Sequence, residues 1–245
     1  MKILVCISNV PDTTSKINFT DDHKSFVSAG VQYIINPYDE LALTRALEIT
    51  EKDGGSVTVI NVGDASTDAT IRKALAIGAT DAVRINAAPR DAYFVAKQIA
   101  QYAKQHAFDL ILTGRESIDY NGGQVASMVA ELLDMPSVTN IKLLQLENGV
   151  ATMEREIEGG KELLTCPLPL VGSATEGIAE PRIRNMRGIM SARTKPLAVV
   201  DAVDVALLTE VIGYDKPKTR SNVNLIAAED VAKLVTLLHT EAKVI

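Results

Sequence analysis

The first half of the chain alternates short apolar runs with longer segments of helical spacing, and this alternation limits the fold more than any other feature. The apolar runs predict buried strands at 2–8, 56–62, 82–85 and 110–113. Of the predicted helices, the first opens at Asn36-Pro37 and ends at Gly54-Gly55, and the others cover 66–77, 91–106 and 123–133. Strands that alternate with helices indicate an α/β fold with a doubly wound, mostly parallel sheet.

The pattern changes after Pro136. Shorter apolar or alternating runs occupy 141–146, 150–157 and 163–165, and turn residues separate them at Asn148-Gly149 and Gly159-Gly160. An Asn-Gly pair between two such runs is a strong hairpin signal. We therefore expect an antiparallel hairpin added to the parallel sheet.

The last fifty residues form a different kind of segment. From Pro196 to Leu225 the chain has few strand or helix signals, and one amphipathic helix then follows at Ala228–Glu241. This pattern predicts an α/β domain over 1–195 and a C-terminal arm over 196–245 that packs on another chain. The stretch 9–32 is longer than an ordinary strand-to-helix loop, and it predicts either a functional loop or a small edge hairpin.

Composition excludes several classes of function. The 245 residues carry a net charge of -6, which argues against nucleic acid as the main partner. No apolar run is long enough for insertion into a membrane, and no secretion signal is present, so we expect a cytoplasmic protein. The two cysteines and three histidines are scattered without metal-ligand spacing.

Four segments are expected to meet at the carboxyl ends of the strands, where open parallel sheets bind ligands. They are 6–8, 36–39, 61–64 and 114–125. In the last, Gly122-Gly123 precedes a predicted helix, whose free N–H groups favour an anion such as a phosphate. The chain has no P-loop, no Gly-x-Gly-x-x-Gly motif and no supported catalytic triad. The sequence therefore predicts a site that binds a nucleotide without transforming it, and no catalytic residue.

The segment 180–196, with the sequence EPRIRNMRGIMSARTKP, is strongly basic in this acidic chain. Methionines lie between its arginines, and flexible apolar side chains suit surfaces that fit several partners. A basic segment of this kind indicates a docking surface, because complementary charge steers encounter. The alternative is a solvated basic loop without a partner.

Several stretches together resemble the β-subunits of electron-transfer flavoproteins. In the basic segment the resemblance lies in Pro-Arg, then Ile-Met, a small residue, Ala, basic residues and Pro. It extends to ILVCISNV, INPYDELAL, IRKALAIGATDAVRI, DLILTGRESID and MEREIEGG, and so covers nearly the whole chain.

The resemblance implies a nucleotide-binding fold of the adenine-binding type and a heterodimer with an α-subunit. The α-subunit would hold most of the redox FAD, and this chain would bury a structural AMP. The complex would accept electrons from dehydrogenases, such as the acyl-CoA dehydrogenases of fatty acid β-oxidation. It would pass them to a membrane quinone oxidoreductase or another acceptor.

The resemblance also implies roles for single residues. It places the phosphate on Gly123, Gln124 and Val125, makes Met186 an apolar anchor in a partner dehydrogenase, and brings Glu156 to the mobile flavin domain of the α-subunit. The expected cofactor-binding residues are Cys6, Asn36, Pro37, Tyr38, Asp39, Val62, Gly114, Arg115, Ser117, Asp119, Tyr120, Asn121, Gly122, Gly123, Gln124 and Val125. The expected partner-binding residues are Glu156, Arg182, Arg184, Met186, Arg187, Ile189, Met190 and Arg193.

One motif departs from the family pattern. AMP-binding relatives carry three acids before the phosphate turn, and flavin-bifurcating relatives carry Asp-Gly-Asp-Thr and hold a second FAD. This chain has Asp119-Tyr120-Asn121-Gly122, and the Tyr120 ring would crowd a second FAD, which favours AMP. The alternatives are a bifurcating subunit with a second FAD and a stand-alone ATP- or AMP-binding regulatory module. By themselves the residues also allow plainer interpretations, with Cys6 in the core, Asn36 as a helix cap and Glu156 on a hairpin surface.

Overall fold

The computed structural model describes residues 1–218 and 223–245, so residues 219–222 of the predicted arm lie outside the described residues. The chain divides into two compact units. The first comprises 1–18 and 27–211, and the second comprises 19–26 and 212–245.

The first unit is built on a nine-stranded sheet with helices. Its strands are β1 (Lys2–Cys6), β4 (Ser56–Gly63), β5 (Asp81–Asn86), β6 (Leu110–Gly114), β7 (Ser137–Glu147), β8 (Val150–Ile157), β9 (Gly160–Pro167), β10 (Leu170–Ala174) and β11 (Leu197–Asp201), and the short strands β2 (Asn9–Pro11) and β3 (Tyr33–Ile35) pair separately. The helices are α1 (Pro37–Asp53), α2 (Asp68–Ile77), α3 (Ala92–His106), α4 (Val125–Leu133) and α5 (Met186–Ala192).

The strand order is β11-β5-β4-β1-β6-β10-β7-β8-β9. All neighbouring strands are parallel except β7–β8 and β8–β9, which are antiparallel. The predicted α/β sheet with an antiparallel addition is therefore confirmed. In the long stretch after β1, β2 pairs with β3 as a small antiparallel hairpin, which is separate from the main sheet and not at its edge.

The core lies on both faces of the sheet because successive side chains of a strand point to opposite faces. On β1, Ile3 and Val5 join one buried cluster with residues of α1 and α2. Leu4 and Cys6 join the other cluster, with residues of α3 and α4. A strand buried on both faces has the continuous apolar sequence that identified β1.

The sequence predicted no strand at β10 or β11. β10 has the sequence LVGSA, and its Gly172 lies where an added Cβ would approach Ile141 Cδ1 to 2.7 Å. β11 follows Pro196 and pairs with β5 alone, so its side chains are half-exposed and show no clear period. The predicted boundary between domain and arm at residue 196 therefore lies directly before β11, which is a strand of the main sheet.

The second unit contains the end of the chain and a short loop. Its helix α6 (Val231–Leu237) continues as a π turn over 238–242, so it is shorter than the predicted Ala228–Glu241. In the loop, the Phe19 ring stacks on Tyr214 with centroids 4.8 Å apart, and the Tyr214 N–H donates to the His23 carbonyl. Across 1–218 and 223–245, no helix combines the length and hydropathy needed to span a membrane.

Gln98 on α3 fixes the chain that follows β11. Its side chain is 2% exposed, its Nε2 donates to the Val203 carbonyl at 2.7 Å, and its Oε1 accepts the Val203 N–H at 2.9 Å. A buried amide thus satisfies both backbone groups of one residue, as a neighbouring strand would.

We predict that Gln98→Leu lowers the free energy of unfolding by about 1–3 kcal/mol, because it leaves the Val203 N–H and carbonyl unpaired. Gln101→Leu, on the exposed face of the same helix, should change it by less than about 0.5 kcal/mol. Urea unfolding followed by circular dichroism measures both. Equal effects of the two substitutions would contradict the assigned role of Gln98.

Candidate functional site

A cavity of about 440 Å³ opens at the carboxyl ends of β1, β4 and β6. The strand order reverses at this point, since β4 and β5 continue to one side of β1 while β6 and β10 lie on the other. This is the position at which open parallel sheets bind ligands. Of the expected cofactor residues, those that line the cavity are Cys6, Asp39, Val62, Gly114, Arg115, Ser117, Asp119, Tyr120, Gly122, Gly123 and Val125. Those that do not line it are Asn36, Pro37, Tyr38, Asn121 and Gln124.

Asp39 is the buried centre of the site. Its Oδ2 accepts the Ser8 N–H at 2.7 Å, and its Oδ1 accepts the Gly114 N–H at 2.8 Å. The carboxylate thus joins the first turn of α1 to the ends of β1 and β6. Burial raises the pKa of Asp39 to about 6, although hydrogen bonds from the backbone N–H groups oppose the shift.

Gly114 permits this arrangement. A Cβ at this position would lie 2.6 Å from Tyr38 Cβ and 2.8 Å from the Asp39 nitrogen, both closer than van der Waals contact. Glycine therefore lets the end of β6 approach the start of α1 closely enough for the Asp39 hydrogen bond.

Asn36 occupies the N-cap position of α1, but its side chain makes no capping hydrogen bond. Its Nδ2 donates instead to the Glu116 carbonyl at 2.8 Å, and its Oδ1 accepts the Ile118 N–H at 3.3 Å. Asn36 is therefore the N-cap residue of α1, as predicted, but its side chain does not cap the helix. Asn36 fixes the loop 115–124 from outside the cavity.

The loop 115–124 closes on itself at the cavity wall. The Ser117 N–H donates to the Gly122 carbonyl at 3.1 Å, and Asn121 adopts a positive φ of 54°. Tyr120 is 63% exposed, and its ring lies so close to Gly122 that an added Cβ there would collide with it. Partial burial of the phenol, together with the carboxylates of Asp119 and Asp39, raises the Tyr120 pKa, so the phenol stays neutral.

The N-terminus of α4 also faces the cavity. The helix begins at Val125, two residues later than predicted, and its N-cap Gln124 makes no side-chain capping hydrogen bond. Val125 and Ala126 line the cavity. The first N–H groups of a helix have no partner within it, and they carry the positive end of the helix dipole. This end of the cavity is suited to an anion.

Two further residues define the wall at β1 and β4. Burial raises the pKa of the Cys6 thiol far above its ordinary range, so Cys6 remains a neutral, unreactive thiol. Asn61 belongs to the segment 61–64 that the sequence placed at this site, although it was not among the expected cofactor-binding residues. It is buried near the end of β4, and its Nδ2 donates to the Ile7 carbonyl at 2.8 Å.

The expected partner-binding residues lie elsewhere, and none of them lines the cavity. Glu156 on β8 forms an ion pair with Lys142 on β7. Arg182 is bound in bidentate fashion to Glu51 of α1, at 2.6 and 2.8 Å. The remaining ones, which are exposed to solvent, are Arg184, Met186, Arg187, Ile189, Met190 and Arg193. Among the described residues, no group of three or more His, Cys, Asp or Glu could hold a metal ion.

We predict a pH-dependent contribution of Asp39 to stability. The pKa of about 6 in the folded chain lies above the ordinary 3.8, so the contribution is present below pH 3.8 and is lost as pH rises through 6. The unfolding free energy of the wild type relative to Asp39→Asn should therefore fall between pH 4 and 7, by up to about 3 kcal/mol. Urea unfolding of ligand-free protein measures this difference.

Asp64 provides the control, because hydrogen bonds from Ser66 lower its pKa. Its contribution has the opposite sign: it is present above the ordinary pKa and is lost as pH falls. A difference between wild type and Asp39→Asn that rises with pH, as expected for Asp64→Asn, would contradict the buried, proton-binding state of Asp39.

Comparison with known proteins agrees with this geometry. The family model of the electron transfer flavoprotein domain matches residues 24–205. A Bacillus subtilis (strain 168) protein named electron transfer flavoprotein subunit beta is 37% identical, and the match covers the whole of both chains. Proteins of the same name from Thermoanaerobacterium thermosaccharolyticum and Homo sapiens are 33% and 32% identical, over 90% and 96% of this chain and 86% and 96% of their own. The chain therefore belongs to the electron transfer flavoprotein β-subunit family.

Proposed function

We propose that this chain pairs with an α-subunit to form a cytoplasmic electron carrier. FAD, held chiefly by the α-subunit, would take up electrons from dehydrogenases such as those of fatty acid β-oxidation and release them to a quinone oxidoreductase or another acceptor. Membership of the family carries this proposal. This chain supplies a scaffold, a nucleotide site and a docking surface, and it needs no catalytic residue for these roles.

We propose that the cavity at the carboxyl ends of the strands holds AMP. Its volume of about 440 Å³ lies in the range of small-molecule sites. The uncapped N-terminus of α4 suits the phosphate without a lysine. Apolar side chains of Ile60, Val62 and Ile99 line the cavity and suit a flat base.

Tyr120 favours AMP over a second FAD. A dinucleotide is about twice the size of a mononucleotide, and the Tyr120 ring takes up space beside Gly122 in the cavity wall. A bifurcating complex would need that space for its second flavin. The ring therefore favours a simple carrier with one flavin.

The arm supplies the proposed contact with the α-subunit. Its large apolar side chains are exposed, including Ile212, Leu225, Val231, Leu234 and Val235. Apolar surface on this scale is typical of a protein interface. Glu156 would contact the mobile flavin domain of the α-subunit, and the exposed residues of the segment 180–196 would contact dehydrogenases.

The nucleotide content tests the proposal. The chain is co-expressed with its α-subunit, and the purified heterodimer is extracted with acid and chromatographed. We expect one FAD and one AMP per heterodimer, with the absorption spectrum of bound flavin. Two FAD and no AMP would favour the bifurcating alternative, and a folded complex without nucleotide would overturn the AMP assignment.

The arm is tested by assembly. Deletion of residues 228–245 should weaken the heterodimer, because it removes apolar surface proposed to lie on the α-subunit. Leu234→Asp should act in the same direction, whereas Thr236→Asp, which lies off the apolar stripe, should have little effect. Sedimentation of diluted complexes measures the dissociation constants. Unchanged affinity and flavin content after the deletion would show that the arm does not bind the α-subunit.

A further inference from the structure

The short helix α5 packs on α2 at the distance of backbone contact. A Cβ on Gly188 would collide with the Ala76 carbonyl oxygen of α2. The Gly188 N–H donates to Oδ1 of the N-cap residue Asn185 at 2.7 Å. Glycine at this position therefore allows the close packing of α5 on α2.

Two cationic side chains connect α2 with the end of α5 and the residues that follow it. One donates hydrogen bonds from α2, and the other donates hydrogen bonds back to α2. Arg72 of α2 donates through Nη1 to the carbonyls of Ala192 and Lys195, at 2.7 and 2.6 Å. Lys195 donates through Nζ to carbonyls at the end of α2 and just beyond it, at 3.0 Å from Leu75 O and 2.6 Å from Ala79 O. A cation is favourable at the negative end of a helix. Lys195 is thus used within the chain and is not part of a basic outer surface.

The opposite side of α5 faces solvent. Met186 is 73% exposed and Met190 is 67% exposed, and Arg187 and Arg193 are exposed beside them. An isolated helix of seven residues is not stable in water. The exposed methionines therefore keep a defined orientation only because the inner side of α5 is fastened to α2.

We propose that Gly188, Arg72 and Lys195 are positioning residues that hold α5 folded on α2 before a partner binds. The partner is an electron-donating dehydrogenase with an apolar cleft and an acidic rim, complementary to the methionines and arginines of α5. This inference rests on the proposed function. Physically, the three residues pre-organise the binding surface. The apparent affinity for the partner is proportional to the fraction of molecules in the binding-competent conformation, so any loss of that conformation weakens binding.

The test uses the intact heterodimer with Gly188→Ala, and with Ser191→Ala as the matched control on the same exposed helix. Stopped-flow reduction by an acyl-CoA dehydrogenase is followed at several salt concentrations. If Gly188→Ala leaves α5 folded on α2 in one molecule in ten, association with the dehydrogenase should become about tenfold slower. The salt dependence should keep its slope because every arginine remains, and flavin and AMP content should not change. Ser191→Ala should behave as wild type.

Hydrogen exchange supplies a readout that needs no partner. The amides of residues 189–195 should be protected in the wild type and should lose protection in Gly188→Ala. Lys195→Met should shift both readouts in the same direction, and it replaces Gly188→Ala if that variant does not fold. Wild-type amides that exchange as fast as those of an unfolded peptide would overturn the inference.

Met186→Ala and Arg187→Ala separate this inference from the docking function itself. Met186→Ala should raise the dissociation rate, and Arg187→Ala should slow association and flatten its salt dependence. If neither has an effect, the proposed docking function is wrong. If both act while Gly188→Ala and Lys195→Met associate as wild type, docking stands and pre-organisation by α2 is wrong.

Discussion

The buried carboxylate of Asp39 holds the site together. β1 and β6 are paired from Ile3 and Leu110 to Val5 and Leu112, and the strands separate beyond this point. Asp39 then accepts the N–H groups of Ser8, two residues after β1, and of Gly114, the last residue of β6. A side chain from α1 thus replaces backbone acceptors that a neighbouring strand would supply. The separation of the strands, and hence the cavity between them, depends on this replacement.

The sequence predicted the elements whose signals are local. β1 is a continuous apolar run, α1 and α3 have apolar residues at helical spacing and helix-boundary residues, and all three agree with the structure to within two residues. β10 and β11 were missed because one contains a central glycine and the other is a half-exposed edge strand. Their pairing with β6 and β5 depends on long-range contacts that no short window contains.

In the site, too, features that depend on neighbouring residues could be predicted, whereas contacts between residues far apart in the sequence could not. The glycines before α4 and the polar residues after β1 indicated the end of the sheet at which the cavity lies. The role of Asn36 was not predictable, because its partners Glu116 and Ile118 lie about eighty positions away. Charge alone was also insufficient in the segment 180–196. Arg182 and Lys195 bind groups of the same chain, whereas Arg187 faces solvent, and all three are simply basic residues in the sequence.

The state of Cys6 has a consequence for the durability of the protein. Sulfur is oxidised through its thiolate, and burial keeps the Cys6 pKa so high that the thiolate is essentially absent. An electron carrier works close to reduced flavin and dissolved oxygen, where peroxide is a hazard. A thiol in the wall of the cavity that resists peroxide keeps this wall chemically unchanged under such conditions.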